Sequence, residues 1–213
     1  MKIEWRTVGG FAENCYLVVD ERQGRAVLID PGAEPERLVA MVRAAGATLE
    51  AIWLTHAHVD HIGGIVGVRR IWNVPVYLHP ADRPLYDRGA AQAAFYGLPF
   101  EQPPPPEHAL ADDDVLRVGD LEFRVMHTPG HAPGHVVFVG EGHALGGDLL
   151  FAGSIGRTDL PFSDPARMNE SLERICTLPD EVVLYPGHGP VTSVGVERAT
   201  NPFLNGVARI VRR

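Results

Sequence analysis

The run Thr55-His56-Ala57-His58-Val59-Asp60-His61-Ile62-Gly63-Gly64 constrains this chain more than any other, because it sets three imidazoles and a carboxylate within six residues. If a strand ends at His56 and His58, their spacing of two turns both side chains to one face. Asp60 and His61 then open the next element in a new direction, so one short loop offers two groups of ligands to two neighbouring cations. Gly63 and Gly64 remove side-chain bulk where backbone has to pass close by. A chance cluster of surface or core histidines is disfavoured, since four adjacent lone-pair groups are costly to pack without a cation that neutralises and orients them. The fold must therefore bring a strand end, a tight turn and a helix start to one point, and the pattern suits two ions better than one.

At 213 residues the chain reads as one domain, 1–213, long enough for a substantial core. Hydrophobic residues at 45% and charged residues at 22% place it among globular rather than disordered or membrane chains. No apolar run is long enough to span a bilayer, and Met1-Lys2-Ile3-Glu4-Trp5-Arg6 carries no apolar signal segment, so a cytoplasmic location without a membrane partner is expected. A formal net charge of -8 works against nucleic acid as a partner, because phosphate binding is driven by Lys and Arg. Cys15 and Cys176 sit in apolar contexts without Cys-x-x-Cys spacing and read as buried thiols.

Strands are expected at 2–6, 15–19 and 26–29, the last closed by the turn Asp30-Pro31-Gly32. An amphipathic helix follows over 35–45, ended by Gly46. A buried strand over 51–54 then delivers the histidine run, followed by a helix over 62–72 and a strand over 74–78. Residues 80–110 change character, with a short helix near 90–95 and the run Pro103-Pro104-Pro105-Pro106. This segment reads as a surface connection, in which Phe95, Tyr96, Leu98 and Phe100 are candidates for one wall of a substrate cleft. The second half repeats the order of the first, with strands at 115–118, 121–127, 136–139 and 143–146, a helix over 165–177 and a strand over 182–185. Two such halves predict an α/β fold of two mixed sheets packed face to face with helices outside, a four-layer αββα sandwich.

Further ligands stand where a strand gives way to a Gly-rich loop: His131 in Thr128-Pro129-Gly130-His131, Asp148 in Gly146-Gly147-Asp148 and His188 in Pro186-Gly187-His188-Gly189. With His56, His58, Asp60 and His61 they supply the seven ligands that two ions need. His79, His108, His127 and His143 stand singly and read as strand, surface or hydrogen-bonding residues. His135 reads as a group that lines the pocket or orients a ligand without touching the metal.

The order His-x-His-x-Asp-His, Thr-Pro-Gly-His, Gly-Asp and Gly-His resembles the metallo-β-lactamase superfamily over essentially the whole chain. Phe151-Ala152-Gly153-Ser154-Ile155-Gly156-Arg157-Thr158-Asp159 and Asn201-Pro202-Phe203-Leu204 narrow the likeness to the glyoxalase II-like hydroxyacylglutathione hydrolases, in their short bacterial branch. The resemblance implies that His56, His58 and His131 hold one metal, that Asp60, His61 and His188 hold the other, and that Asp148 bridges them. It implies two divalent ions, zinc first, with iron or manganese compatible with the same imidazole and carboxylate ligands. Asp148 stands where the commonest zinc β-lactamases place Cys, which speaks against lactam hydrolysis as the native activity.

Two cations about 3.5–4 Å apart share a water and lower its pKa from about 15.7 towards 7. The expected reaction is attack of that hydroxide on a thioester carbonyl, as in S-lactoylglutathione to lactate and glutathione, with Asp60 orienting the water. The expected partner is thus a small-molecule thioester. Arg157, nine positions after Asp148, keeps the charge that the long-form enzymes direct at glutathione. Asp159 and Pro190 stand where the long form has tyrosines, and its C-terminal helical domain has no counterpart between His188 and Arg213. Arg198 and Arg209 are read as solvated side chains rather than substitutes for those contacts. The competing readings are a mononuclear iron persulfide dioxygenase, a metal-dependent nuclease and a non-catalytic binding module. The intact ligand set and the acidic charge favour the hydrolase over all three.

Overall fold

The computed structural model describes residues 1–208 and 210. It opens with an antiparallel meander of β1 (Lys2–Val8), β2 (Glu13–Asp20) and β3 (Arg25–Ile29). Helix α1 (Pro35–Ala45) carries the chain to β4 (Thr48–Trp53), parallel to β3. Two short helices, α2 (Val59–Ile62) and α3 (Ile65–Arg69), precede β5 (Val76–Leu78). Helices α4 (Arg83–Tyr86) and α5 (Gly89–Tyr96), then the proline-rich segment, lead to β6 (His108–Ala109), and the six strands lie in sequence order. The second sheet is built from β7 (Val115–Val118), β8 (Leu121–His127), β9 (Val136–Gly140) and β10 (His143–Gly147). A hairpin of β11 (Leu150–Phe151) and β12 (Ser154–Ile155), helix α6 (Pro165–Ile175), β13 (Val183–Pro186), β14 (Thr192–Ser193) and α7 (Val194–Thr200) follow. The sheet order is β14-β13-β10-β9-β8-β7, with β13 parallel to β10 and the other neighbours antiparallel.

Strand alternation assigns the layers. In β2, Tyr16 and Val18 point between the sheets, where they join Val27, Ile29, Ala51 and Trp53 against Phe123, Val125, Phe138 and Leu145. Trp53 anchors this middle layer, 6.0 Å from the ring of Phe123 and 5.3 Å from that of Phe138. The alternate residues Cys15, Leu17 and Val19 face outward and are covered by Leu38, Met41 and Val42 of α1 and by Ile65 and Val68 of α3. On the far side of the second sheet Met126, Val137, Ala144 and Leu184 are covered by Met168, Leu172 and Ile175 of α6 and Val194 of α7. Two mixed sheets face to face, with helices on both outer faces, form the αββα sandwich expected from the sequence.

Local signals fix the outer helices. Helix α1 has Pro35 at its first turn and stops at Gly46, whose φ of 65° is the left-handed conformation a helix C-terminus needs. Asp164 caps α6 by accepting from Ala166 N (2.8 Å) and Arg167 N (3.2 Å), a contribution of about 1 kcal/mol.

The single helix expected over 62–72 is two short helices instead. At Gly63 and Gly64 the chain runs against the Asp30-Pro31-Gly32 turn: Gly64 N donates to Pro31 O (2.7 Å), and a Cβ on Gly63 would come within 2.5 Å of the carbonyl oxygen of Gly32. The expected strand end at His56 and His58 also differs, because strand β4 stops at Trp53. Thr55 N donates to Asp30 Oδ1 (2.7 Å) and Ala57 N to Asp82 Oδ2 (2.8 Å), so side chains take the amides a ladder would have used. Cys15 is fully buried as expected, whereas Cys176 is only half-buried at the C-terminal cap of α6.

Candidate metal centre

The two sheets are stitched together where the ligand loops emerge. Val136 N donates to Thr55 O (2.8 Å), Asn14 N to Gly187 O (2.7 Å) and Tyr16 Oη to Pro186 O (2.6 Å). These bonds set the end of β4, the start of β9 and the end of β13 side by side, so ligands far apart in sequence converge. His56, His58 and His131 bring one ligand atom each to a common point, and Asp60, His61 and His188 do the same, with the atoms of each group within 4.8 Å of one another. Asp148 lies between the groups: its Oδ2 is 3.4 Å from His131 Nε2 and 3.5 Å from His188 Nε2, and its Oδ1 is 3.5 Å from His61 Nε2. Gly187 makes this approach possible, since a Cβ there would strike the carboxylate of Asp148.

Four of the five imidazoles are aimed by the bond at the nitrogen that faces away from the cluster. His61 Nδ1 donates to Asp30 Oδ2 (3.0 Å), His131 Nδ1 to Arg157 O (2.8 Å) and His188 Nδ1 to Phe11 O (3.1 Å). His56 Nδ1 donates to Thr55 Oγ1 (3.0 Å), whose own proton goes to Asp30 Oδ2 (2.6 Å). All four rings therefore turn Nε2 inward, the orientation that metal-ligating histidines show. His58 is the exception in geometry and presents Nδ1, 2.8 Å from His131 Nε2. A third grouping, Asp30 with His56 and His61, is explained by these bonds, because Asp30 already accepts from Thr55 and His61 and serves to orient them.

The residues fit cations. His56 Nε2, His61 Nε2 and Asp148 Oδ1 are buried without any hydrogen-bond partner, which is costly unless something fills the space they face. Protons supply the balancing charge in the protein alone. Burial would lower His61 and His188, but the carboxylates of Asp148 and Asp60 outweigh it and raise them to about 9 and about 10. Asp148 is held well below the usual carboxylate range, burial being overcome by His61, His188 and His131. Asp60 is lowered as well, by His61 and His188 against its burial. Burial and the neighbouring rings drive His56 well below its ordinary value, and His58 to about 3, so both stay neutral and keep their lone pairs.

The remaining predicted residues divide. Both nitrogens of His135 are engaged, Nδ1 with Thr128 Oγ1 (2.9 Å) and Nε2 as acceptor from Asp148 N (3.0 Å), so His135 positions the backbone of Asp148. Arg157 is exposed, and its guanidinium is bidentate on Asp159, at 2.9 and 3.0 Å. Arg198 donates to the carbonyls of Cys176 and Leu178 and pairs with Asp180, and Arg209 lies outside the described residues. His79 stacks on His127 (4.1 Å), His108 on Tyr77 (4.4 Å) and His143 on Tyr185 (5.6 Å), and none joins the ligand groups. Of the proposed cleft wall, Phe95 and Tyr96 are exposed, whereas Phe100 packs on the core against Gly89.

Sequence reasoning passed over Asp30, Asp82 and Glu13. Asp30 was legible as an acid at a strand end, yet its Pro-Gly context reads first as a turn. Asp82 accepts from Ala57 N and Gly134 N and so ties two ligand loops together, and its burial lifts its carboxyl to about 6. Nothing local in the sequence marks it. Glu13 is fully buried with both carboxylate oxygens unpartnered, and burial together with Asp30, Asp60 and Asp148 pushes its carboxyl well above the usual range.

A sandwich with this centre defines a class of metal-dependent hydrolases, and the sequence profile of the metallo-beta-lactamase superfamily matches residues 8–188. The chain belongs to that superfamily. Hydroxyacylglutathione hydrolase GloC of Haemophilus influenzae is 34% identical, across 96% of this chain and 99% of its own length. The crystal structure of TTHA1623 in a di-iron-bound form is 45% identical with a TM-score of 0.87, covering 94% of this chain and all of that one, 100%. The B3 metallo-beta-lactamase BLEG-1 is 37% identical with a TM-score of 0.90, covering 96% and 100%. The His and Asp clusters together with the fold imply divalent metal ions. No helix among the described residues is long and apolar enough to cross a membrane.

Proposed function

We propose that this protein hydrolyses small-molecule thioesters of the hydroxyacylglutathione type, S-lactoylglutathione to lactate and glutathione. The observation that carries this reading is the pair of three-ligand groups with Asp148 between them. His56, His58 and His131 would hold one divalent ion, Asp60, His61 and His188 a second, and Asp148 would reach both. Similarity to GloC supports the substrate type, and similarity to a di-iron protein supports iron beside zinc or manganese as the resident metal.

When bound, such ions supply a water of lowered pKa and polarise the carbonyl oxygen. The chain's own groups do the positioning. Asp60, partly exposed and held ionised by His61 and His188, orients the attacking water and accepts its hydrogen bond. The water oxygen bonds the acyl carbon, the carbon–sulfur bond breaks, the sulfur leaves as thiolate, and the two water protons pass to solvent as the acyl group becomes a carboxylate. Asp30, Thr55 and His135 keep the ligands in place while charge develops. Lactam hydrolysis is a second reading, favoured by the likeness to BLEG-1.

Elemental analysis of protein purified without added metal, read beside four assays, tests the assignment. Two ions per chain with thiol release from S-lactoylglutathione is the expected result. One iron per chain with oxygen uptake on glutathione persulfide would replace the hydrolase with a dioxygenase. Opening of a β-lactam without thiol release would favour the second reading, and cleavage of a polynucleotide would favour a nuclease.

A further inference from the structure

The rim of the centre carries a substrate preference, and the argument starts from three exposed rings. Phe11, in the turn between β1 and β2, accepts the Nδ1 proton of His188 at its carbonyl (3.1 Å), and its ring meets that of Tyr96 edge to face at 5.0 Å. Tyr96 in turn meets Phe95 at 5.0 Å. Gln92, one turn earlier on α5, accepts from Val59 N (3.2 Å) and donates to Ala57 O (3.2 Å), so this helix is clamped to the loop that holds His56, His58 and Asp60. The rings are therefore fixed relative to the ligands from two directions. Phe95 is nonetheless 82% exposed, and Tyr96 and Phe11 are 43% and 41% exposed, so their faces are available for stacking.

Charge points the same way. Arg157, whose backbone carbonyl accepts from His131 Nδ1, is the cation of this rim, and the Nε and Nη2 side of its guanidinium is paired with the carboxylate of Asp159 at 2.9 and 3.0 Å. With its charge offset by that carboxylate, Arg157 attracts an anionic thiol carrier less than an unpaired guanidinium would. An uncharged apolar group needs no cation.

Building on the thioesterase reading above, we propose that the preferred substrates are acyl thioesters whose acyl group bears an apolar ring that lies against Phe11, Tyr96 and Phe95, while the glutathione part contributes little to recognition. The hydrolytic step is unchanged: water adds to the acyl carbon and the thiol leaves.

The test uses the full chain loaded with metal and four substrates, acetyl and phenylacetyl thioesters of glutathione and of uncharged N-acetylcysteamine, with thiol release followed for kcat/KM. The phenylacetyl thioester is expected to exceed the acetyl one by about tenfold on either thiol, and exchange of glutathione for N-acetylcysteamine to change kcat/KM by less than about threefold. In Phe95→Ala combined with Tyr96→Ala the phenylacetyl-to-acetyl ratio should fall below about threefold, through KM rather than kcat, with the thermal transition showing a folded protein. A ratio near one in the unmodified chain, or a loss of about tenfold on removing glutathione, overturns this inference alone. Turnover of none of the four by metal-loaded protein overturns the thioesterase reading with it.

Discussion

The metal centre and its rim are built on opposite physical terms. At the centre, His56, His61, His131 and Asp148 are buried, and the outer nitrogen of each of four rings is fixed by an oxygen acceptor. A wrong contact there leaves a buried polar group unsatisfied, so one geometry survives. At the rim, Phe11, Phe95 and Tyr96 stand in solvent and Arg157 is paired with its neighbour, so exchanging these residues costs the fold little. The difference separates a buried cluster held in one geometry from an exposed rim whose side chains the fold leaves free to vary.

Removing the shared carboxylate attacks the buried side of this contrast hardest. Asp148→Ala is expected to abolish metal loading and to lower thioester hydrolysis by on the order of a thousandfold or more, read by elemental analysis and thiol release. Full loading after that change would show that the two ligand groups are independent. Asp82→Ala comes next. It strips the acceptor from Ala57 N and Gly134 N, and each buried orphan costs about 1–3 kcal/mol, partly offset because a buried carboxyl is removed as well. A net loss of roughly 2 kcal/mol or more in denaturant unfolding is the expected outcome. Asp30→Ala frees the rings of His56 and His61 to turn, and a drop in metal affinity of about 10–100-fold should follow, with Asp30→Asn recovering part of it through the retained acceptor.

That ordering also explains what could be read from the sequence. The candidate ligands were legible because each is bound to a short motif with its own geometry: a His-x-His-x-Asp-His run, or a His or Asp beside glycines. The layers were legible because β2 and β4 alternate cleanly between two apolar surroundings. The supporting groups were hidden, since Asp30 and Asp82 act through backbone amides 25 residues away in the chain, where no local pattern announces them. The break at Gly63 and Gly64 was hidden for a similar reason, because its cause is the backbone of the 30–32 turn and not a property of the helix itself. At the rim, Arg157 kept the expected position while Asp159 took its charge, a pairing that only the side-chain geometry shows.

A graded effect of pH sharpens the contrast further, smaller because burial opposes each imidazolium. In metal-free protein His61 and His188 are raised to about 9 and about 10, above the value near 6.5 of an unfolded chain. A raised imidazole stabilises the fold fully below pH 6.5, and that contribution is lost as pH climbs through 9 to 10. Metal-free protein should therefore lose thermal stability across that window. Metal-loaded protein should lose less, because the cations replace the protons. Parallel pH profiles for the two forms would show that protons and metals do not compete for these nitrogens.

The smallest effect belongs to the rim charge. Arg157→Ala should lower kcat/KM for S-lactoylglutathione by less than about threefold, since an exposed ion pair is worth roughly 0.2–1 kcal/mol and Asp159 already offsets the charge. His131 keeps its orientation in this variant because it donates to the backbone carbonyl of Arg157, which alanine retains. A loss of tenfold or more, appearing in KM, would mean that the Arg157–Asp159 pair opens to receive a glutathione carboxylate, and recognition would then rest on charge instead of on the rings. Asp159→Ala separates the two cases from the other side. Releasing the guanidinium should lower KM for the glutathione thioester by about two- to threefold and leave the N-acetylcysteamine thioester where it was, because only the former carries an anion for the freed fork to bind.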